Sequence, residues 1–372
     1  MVEKGVYGIV YFGSNFLLIR RKDNGLWEFP GGKLEEGEDG IKGIKREVKE
    51  ETGLDVDVSV GFRKNLKYAG KRVFVHYGIC TLKDIGNIFS IKLDDEHDSY
   101  AWVDIRDLQK IKTASVRGAM EMINNLYHYD LPFKFVKMLK KYGVKGVKSA
   151  GYTGSLARGD FLPYYSDIDL FVYYNKNIEI DKLKRIMNRL DKKSLCQLSL
   201  HIDCIRTENR VHGYLDLLEQ KYSRIYLYRN YRHKYNVMEN GKKIRRTAYE
   251  KILRLIMLFR YYYCLIRKGN NEIGSIHCFL DRSSPDYERL LLGKLYEITG
   301  DLVRTIAMFL SRRYVHNMYE ALMVIGNKSV INEVLTDRNA WPFRQFTLNY
   351  KPLLKNLVRF YVSVKKEFED RV

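Results

Sequence analysis

The chain has 372 residues, with 65 Lys and Arg against 45 Asp and Glu, which gives a formal net charge of +20 at pH 7. Its 45% hydrophobic and 30% charged residues are typical of a globular protein and exclude an intrinsically disordered chain. The length exceeds the usual size of one hydrophobic core and favours two or three domains.

No run of apolar residues approaches the roughly 20 that a membrane-spanning helix requires. The opening segment MVEKGVYGIVYFGSN carries charges at Glu3 and Lys4, and it lacks the apolar core and cleavage site of a secretory signal. The five cysteines are scattered without a C-x-x-C pair, which argues against a disulfide framework or a zinc site. We therefore expect a cytoplasmic protein.

The excess positive charge is confined to the second part of the chain. Residues 1–128 hold 20 of the 65 basic and 20 of the 45 acidic residues, so their net charge is zero and all of the +20 lies beyond them. This distribution predicts a domain boundary near residue 128 and makes the later part suited to a polyanion such as RNA. A basic surface that serves solubility alone is the competing interpretation.

Apolar periodicity predicts an α/β unit over residues 1–128. Its expected elements are strands at 7–12 and 15–20, a helix at 39–52, strands at 57–61, 72–82 and 100–104, and a helix at 115–126. Gly13 and Ser14 give a hairpin signal between the first two strands, and Gly53 ends the first helix.

A connector at 128–133, which contains a proline, leads into a second α/β unit that we place at residues 133–240. Its expected elements are a helix at 135–144, strands at 147–154 and 168–174, a helix at 180–191, and a strand at 198–205. From about residue 245 onward apolar positions recur every three or four residues, so residues 245–372 are predicted to form a helical domain.

Three glutamates, Glu47, Glu50 and Glu51, follow the spacing i, i+3, i+4 in the first predicted helix. A helix places such side chains on one face, where their like charges repel unless a cation neutralises them. Mg²⁺ and Mn²⁺ are hard cations that prefer oxygen ligands and bridge carboxylates to substrate phosphates. A solvated acidic helix face is the alternative that composition alone favours.

The wider segment favours the metal site. Its motif positions are Gly32, Glu38, Arg46, Glu47, Val48, Glu50, Glu51, Gly53 and Leu54, and at all nine it resembles the Nudix box of pyrophosphohydrolases. The resemblance implies that Glu47, Glu50 and Glu51 bind Mg²⁺ or Mn²⁺, with Glu50 and Glu51 in the catalytic machinery. It also implies a further acidic ligand from a later loop, for which Glu96 or Asp98 is the candidate. The preceding Trp27–Lys33 segment is similar to the MutT-like branch, which hydrolyses nucleoside triphosphates to monophosphates.

A second constellation lies in the basic part of the chain. A Gly154-Ser155 turn at a helix start presents backbone N–H groups to phosphate oxygens. Asp167 and Asp169 are two apart at a strand, so they project from one face and can hold a pair of Mg²⁺ ions. Asp203 alternates with apolar neighbours on another predicted strand, and we assign it as the third carboxylate. The alternatives are a turn at a strand entry for the first two and an exposed strand residue for Asp203.

The segment GSLARGD (154–160) followed by SDIDL (166–170) resembles the signature of the DNA polymerase beta-type nucleotidyltransferases. The resemblance implies a mixed-sheet α/β domain with three metal ligands, Asp167, Asp169 and Asp203. Asp203 would also be the general base that activates an acceptor hydroxyl. Gly154, Ser155 and Arg158 would bind the nucleotide, and Arg158 has a structural salt bridge as its alternative role.

The predicted fold class is therefore α/β: an N-terminal Nudix α/β/α sandwich, a central nucleotidyltransferase domain with a mixed sheet, and a C-terminal helical domain that holds the acceptor. The predicted function is a magnesium-dependent, bifunctional enzyme. It hydrolyses nucleoside polyphosphates and transfers a nucleoside monophosphate to an acceptor hydroxyl, with RNA as the favoured acceptor. The alternatives are a small-molecule acceptor, or a basic half that binds nucleic acid without catalysis.

Overall fold

The computed structural model describes residues 3–68, 71–163, 166–174, 177–191, 198–204, 214–229, 237–268, 287–326, 328–341 and 351–369. Contacts divide the chain into two compact units. The first unit comprises Met1–Leu126 and Asn332–Asn349, and the second comprises Tyr127–Ile331 and Tyr350–Val372.

The first unit is built from strands, two helices of 13 and 14 residues, and shorter helical segments. Its elements are β1 (Glu3–Phe12), β2 (Asn15–Arg21), β3 (Trp27–Glu28), β4 (Gly31–Lys33), α1 (Gly40–Thr52), β5 (Val56–Tyr68), β6 (Lys71–Leu82), a 3₁₀ helix (Ile85–Phe89), β7 (His97–Asp104), α2 (Ile105–Leu108) and α3 (Ala114–Tyr127). The predicted hairpin and the predicted helix that ends at Gly53 are both confirmed.

Within the described residues these strands form a seven-stranded sheet of order β3-β2-β1-β6-β5, with β4 paired to β1 and β7 paired to β2. β1 lies at the centre, parallel to β6 and antiparallel to β2 and β4. Its residues Val6, Ile9 and Val10 are fully buried, as expected for a central strand covered on both faces. α1 packs on this sheet through Ile44 and Val48 and thereby sets which of its faces carries the glutamates.

A segment from far along the chain completes the first unit. The helix α11 (Ser329–Ala340) carries Asn339, whose side chain accepts a hydrogen bond from the Gly13 N–H at 3.2 Å and donates to the Tyr11 carbonyl at 3.1 Å. Nearby, Thr336 Oγ1 accepts a bond from the Ile85 N–H at 2.9 Å. Because these backbone groups lie at the β1–β2 turn and at a 3₁₀ helix, α11 satisfies polar groups that the sheet leaves unpaired.

The second unit combines a sheet with a helical bundle. Its elements are α4 (Leu131–Lys141), β8 (Val147–Thr153), α5 (Gly154–Arg158), β9 (Ile168–Tyr174), α6 (Ile180–Asp191), β10 (Leu198–Cys204), α7 (Tyr214–Ser223), β11 (Ile225–Arg229), α8 (Gly241–Lys268), α9 (Tyr287–Ser311), α10 (Met318–Ile325) and α12 (Lys351–Glu369). The described strands form a four-stranded mixed sheet of order β10-β9-β8-β11, in which only β9 and β10 are parallel.

The bundle of the second unit has an apolar and aromatic core. α8 packs along α9, and α12 lies against both. Phe259 of α8 stacks on Tyr361 of α12 with ring centroids 4.9 Å apart, and Phe309 of α9 meets Phe368 edge-on at 5.3 Å. The helical pattern predicted beyond residue 245 is therefore confirmed, and its apolar stripes face one another. Among the described helices, none combines the length and the apolar character needed to cross a membrane.

Candidate active sites

The first candidate site lies where the Gly31-Gly32 turn meets α1. The helix begins after Asp39, whose side chain accepts a backbone hydrogen bond, and ends at Gly53, which has a left-handed φ of 71°. Within these limits Glu47 and Glu51 are one turn apart and both approach the glycine turn.

Glu47 lies directly against the main chain of Gly32. A Cβ at position 32 would stand 2.7 Å from Glu47 Oε1, so glycine lets this carboxylate keep its position against the main chain. The Glu47 side chain is 12% exposed. Burial raises the pKa of Glu47, and the positive charge of Arg46 offsets part of that rise.

Glu51 is the most deeply buried carboxylate of the helix, and its Oε2 accepts a hydrogen bond of 2.7 Å from the Gly31 N–H. Burial raises the pKa of Glu51 to about 9 against that hydrogen bond, and the negative charges of Glu47, Asp94 and Glu28 reinforce the rise. The ionised form of Glu51 therefore requires a cation beside it at neutral pH.

Arg46 holds the glutamates of the helix in place rather than facing the site as a reactive group. Its guanidinium donates to Glu38 at 3.0 and 3.1 Å, to Glu47 at 3.0 Å and to Glu50 at 3.1 Å, and to the Lys33 carbonyl at 3.1 Å. Glu50 is 59% exposed, in contrast to its two neighbours. The helix thus presents one accessible carboxylate, Glu50, beside the mostly buried Glu47 and the buried Glu51.

Asp94 and His97 join this cluster, and the sequence analysis did not identify either of them. His97 Nδ1 lies 2.7 Å from Asp94 Oδ1, and His97 Nε2 lies 3.9 Å from Glu51 Oε1. One potential ligand atom from each of Glu51, Asp94 and His97 falls within 4.8 Å of the other two. Asp94 and His97 belong to the acidic run DDEHD (94–98), in which five consecutive residues are candidate ligands and only the loop geometry selects among them.

Glu96 and Asp98 have other partners. Arg20 donates two hydrogen bonds to the Asp98 carboxylate, at 2.8 and 2.9 Å. The Glu96 carboxylate lies 3.4 Å from the Arg21 guanidinium. The residue of this loop that lies next to Glu51 is Asp94, and a ligand role of Glu96 or Asp98 stays a prediction.

The donors of this cluster fit a divalent metal ion. Carboxylates of Glu51 and Asp94 supply the oxygen ligands that Mg²⁺ and Mn²⁺ prefer, with Glu47 one helical turn from Glu51, and the burial of Glu51 leaves a negative charge that a cation would compensate. Glu50 lies at the solvent side of the same helix, where it can reach a bound substrate or water.

The second candidate site is formed at the junction of β8, α5 and β9. Gly154 has a left-handed φ of 69°, and a Cβ at this position would overlap with Asp169 Oδ2. The strand register pairs Thr153 with Asp169. Glycine is therefore required here for two reasons, its backbone conformation and the approach of the Asp169 carboxylate.

The three predicted aspartates lie at different positions along the strands of the sheet. Asp167 directly precedes β9 and Asp169 is its second residue, and both are half-buried between the buried Ser166, Ile168 and Leu170. Asp203 lies on β10 in register with Tyr173, whereas Asp169 is in register with Ser199. Four residues of strand separate the two registers, about 13 Å along the sheet. The metal-binding and catalytic roles of Asp203 stay predictions.

Arg158 is buried in a network of charges behind the Gly154 turn. Its guanidinium contacts Glu219 of α7 and lies 3.3 Å from Asp160, and Arg304 of α9 reaches the same Glu219 at 3.1 Å. Although burial opposes it, the charges of Arg158 and Arg304 hold the pKa of Glu219 below its ordinary range. This is the geometry of a structural salt bridge, and a nucleotide contact of Arg158 stays a prediction.

Comparison with protein families assigns these two regions. Residues 2–121 match the NUDIX domain, and residues 134–244 match the nucleotidyltransferase domain. The chain joins a NUDIX domain to a nucleotidyltransferase domain. The Gly31-Gly32 turn and α1 fall within the NUDIX domain, and the Gly154 turn with Asp167 and Asp169 falls within the nucleotidyltransferase domain.

Individual relatives each match part of this chain. A MutT-like protein of Streptomyces ambofaciens is 49% identical over 59 residues, which is 15% of this chain and 38% of that protein. The asymmetrical bis(5'-nucleosyl)-tetraphosphatase of Mus musculus is 31% identical over 99 residues, 25% of this chain and 65% of that protein. The crystal structure of a MutT protein from Methanosarcina mazei Go1 is 28% identical with a TM-score of 0.29, covering 33% of this chain and 93% of that one. The chain thus spans less than two thirds of the length of these two curated relatives.

Replacing Glu51 by Gln should stabilise the metal-free NUDIX domain at neutral and alkaline pH. Because the pKa of Glu51 is raised to about 9 in the folded protein, the unfolded chain loses this proton first as pH rises. The contribution of Glu51 to the free energy of unfolding is fully present below about pH 4 and declines up to pH 9. At pH 7 the free energy of unfolding is about 3 kcal/mol lower than it would be with the full contribution. Gln keeps the acceptor for the Gly31 N–H and removes the titration.

The measurement is urea unfolding of EDTA-treated protein at pH 4.5 and pH 8, followed by tryptophan fluorescence. All three tryptophans (Trp27, Trp102 and Trp341) lie in the first unit, so the signal reports that unit alone. We expect the variant to exceed the wild type at pH 8 and to match it at pH 4.5. An equal difference at both pH values would contradict the assigned pKa.

Replacing Glu219 by Gln should destabilise the second unit by about 3 kcal/mol, because it leaves two buried guanidinium groups without their shared carboxylate. In urea unfolding, far-UV circular dichroism should show loss of helix at a lower urea concentration than in the wild type. The transition followed by tryptophan fluorescence, which reports the first unit, should not change. The control is Glu179→Gln, which breaks a half-exposed pair with Lys182 at 3.0 Å and should destabilise the second unit far less. Equal effects of the two substitutions would contradict the structural role of the network.

Proposed function

We propose that this chain is a bifunctional enzyme of nucleotide chemistry. The NUDIX domain hydrolyses nucleoside polyphosphates, and the nucleotidyltransferase domain transfers a nucleoside monophosphate from a nucleoside triphosphate to a hydroxyl group. The observation that carries the hydrolase proposal is the pair of buried carboxylates, Glu47 and Glu51, held against the Gly31-Gly32 turn. The transferase proposal depends on the Asp169 carboxylate held against the Gly154 turn.

In the hydrolase, we assign the roles of the α1 glutamates from the solvent exposure of their side chains. Glu47 and Glu51, with Asp94, are the residues that would hold Mg²⁺ or Mn²⁺. A bound divalent ion supplies polarisation of the pyrophosphate oxygens and a water of lowered pKa. Glu50 is the accessible carboxylate, so we assign it the contact with the attacking water, and Arg46 positions it through the 3.1 Å hydrogen bond.

The substrate class follows from this arrangement and from the relatives. A cluster of carboxylates that requires cations suits a substrate that itself carries several phosphates. Relatives of the NUDIX domain include a MutT-like protein and a tetraphosphatase of dinucleotides, which supports nucleoside polyphosphates over other pyrophosphates.

Replacing Glu50 by Gln should lower kcat for hydrolysis of nucleoside polyphosphates about 10²- to 10⁴-fold with little change in KM, because a general base acts in the transition state. The assay measures products from a panel of nucleoside triphosphates and a dinucleoside tetraphosphate with Mg²⁺. The matched control is Glu36→Gln, an exposed glutamate in the loop before the helix. Wild-type activity in the Glu50 variant would refute the assigned role, and no hydrolysis by the wild type would refute the hydrolase.

In the transferase, the Gly154 turn and the N-terminal end of β9 are the reactive region. Gly154 and Ser155 would contact the phosphates of the triphosphate through backbone N–H groups. Asp167 and Asp169 would hold Mg²⁺ beside them, and Asp203 is the candidate general base. The Arg158 network fixes this turn from behind, and Asp160 adds a bond of 2.8 Å from the Met318 N–H of α10.

RNA is the acceptor that the charge distribution favours. α8 exposes six basic side chains and one acidic one among its described positions: Lys242, Lys243, Arg245, Arg246, Arg254 and Arg260, against Glu250. Such a basic helix in the same unit as the transferase turn would contact phosphates along a polynucleotide. A small-molecule acceptor would leave this surface without a role in the reaction.

Replacing Asp169 by Asn should reduce incorporation of label from an α-labelled nucleoside triphosphate by more than about 100-fold, since loss of even an outer partner of a metal site costs 10- to 100-fold. The same variant should keep full hydrolase activity, which serves as an internal test of folding. Asp181→Asn, at an exposed position in α6, is the matched control.

Incorporation is measured with total RNA, with a panel of small hydroxyl-bearing acceptors and without acceptor. RNA-dependent labelling that falls steeply with salt supports the RNA acceptor. Labelling of small molecules alone refutes RNA as the acceptor, and salt-sensitive RNA binding without any labelling refutes the transferase.

A further inference from the structure

His97 is a buried residue of the NUDIX domain with one satisfied and one unsatisfied ring nitrogen. Its side chain is 0% exposed, and Nδ1 is bonded to Asp94 Oδ1 at 2.7 Å. Within the part of the chain that the structure describes, Nε2 has no hydrogen-bond partner. A buried ring nitrogen without a partner is costly, so this atom points to a ligand.

The partner of Nδ1 determines what Nε2 can offer. An ionised carboxylate only accepts hydrogen bonds, so Asp94 fixes the proton of a neutral ring on Nδ1 and leaves a lone pair on Nε2. Metal-binding histidines commonly donate their other N–H to a carboxylate, which fixes the ring and raises its basicity. Asp94 therefore orients His97 so that the Nε2 lone pair is available to bind a metal ion.

The lone pair of Nε2 faces the Glu51 carboxylate. The distance from Nε2 to Glu51 Oε1 is 3.9 Å, too long for a hydrogen bond. It is shorter than two metal–ligand bonds of about 2.1 Å placed end to end, so one ion can contact both atoms. Glu51 Oε2 is already bonded to the Gly31 N–H at 2.7 Å, which leaves Oε1 as the second ligand.

The nitrogen atom also selects the ion. Mg²⁺ binds oxygen ligands almost without exception, whereas imidazole suits iron, cobalt, nickel and zinc and is accepted by manganese. A site that contained only the glutamates of α1 would have no such preference. The imidazole gives one position of the cluster a preference for transition metals.

We propose that His97 Nε2, oriented by Asp94 and paired with Glu51 Oε1, is a nitrogen ligand that makes the hydrolase site prefer a divalent transition metal to Mg²⁺. This inference rests on the proposed hydrolase function of the same site. A proton shared between His97 and Glu51 is the competing occupant, and it predicts no nitrogen bound to a metal.

The direct test is pulsed electron paramagnetic resonance of the full chain loaded with Mn²⁺. We expect modulation from a coordinated ¹⁴N nucleus, replaced by a ¹⁵N pattern when the protein carries ¹⁵N-histidine. This measurement requires no substitution, so it does not depend on the folding of a variant. Absence of nitrogen coupling, or coupling that histidine labelling does not alter, would overturn the proposal.

The second measurement compares affinities for Co²⁺ and Mg²⁺ by calorimetry. His97→Gln should weaken Co²⁺ binding at least about tenfold and leave Mg²⁺ binding almost unchanged. His76→Gln, a half-buried histidine of the same domain that is not part of the cluster, should alter neither affinity and should keep the ¹⁴N signal. Equal weakening of both metals by His97→Gln would indicate a structural role and refute the nitrogen ligand.

Hydrolysis assayed on the same wild-type preparation, once with Mg²⁺ and once with Mn²⁺, separates the two proposals. Hydrolysis without nitrogen coupling refutes the role of His97 and leaves the hydrolase standing. Nitrogen coupling without hydrolysis supports the role of His97 as a ligand and refutes the hydrolase.

Discussion

Both candidate sites depend on one constraint, a carboxylate held against the main chain at a glycine. Glu47 fills the space beside Gly32, and Asp169 fills the space beside Gly154. A Cβ at Gly32 would press on a carboxylate oxygen of Glu47 at 2.7 Å, and a Cβ at Gly154 would overlap with Asp169 Oδ2. Desolvated carboxylates favour cations, so in the NUDIX domain the burial of Glu51 beside the glycine turn leaves a negative charge that a cation would compensate.

The carboxylates of the two sites have different charged partners. In the NUDIX domain, Arg46 serves the glutamates at the solvent side of α1, while Glu51 is left with backbone and acidic neighbours and a pKa raised to about 9. In the nucleotidyltransferase domain, Arg158 and Arg304 neutralise Glu219 behind the Gly154 turn. The first arrangement keeps a negative field for a bound cation, and the second gives the phosphate-facing turn a rigid support in α7 and α9.

The sequence determined the elements and the motif carboxylates. The spacing of Glu47, Glu50 and Glu51 fixed a shared helix face because a helix has 3.6 residues per turn, and the glycine signals located the turn at Gly13 and the end of α1 at Gly53. Periodicity was sufficient for β9 and for the long helices of the second unit, because these elements bury regular apolar stripes. It missed α7 and β11, and it gave no sign that α11 satisfies backbone groups at the β1–β2 turn, because that contact joins positions more than 300 residues apart.

Only the tertiary structure decided the roles within each motif. It buried Glu51 and exposed Glu50, and it selected Asp94 and His97 from an acidic run in which the pattern favoured Glu96 or Asp98. It also gave Arg158 its partner Glu219, 61 residues away. Local spacing specifies which side chains share a face, whereas depth, charge partners and the choice of loop residue depend on how strands distant in the sequence pair. For this chain the sequence by itself therefore determined the chemistry of the ligands, and the fold determined which of them are desolvated enough to need a cation.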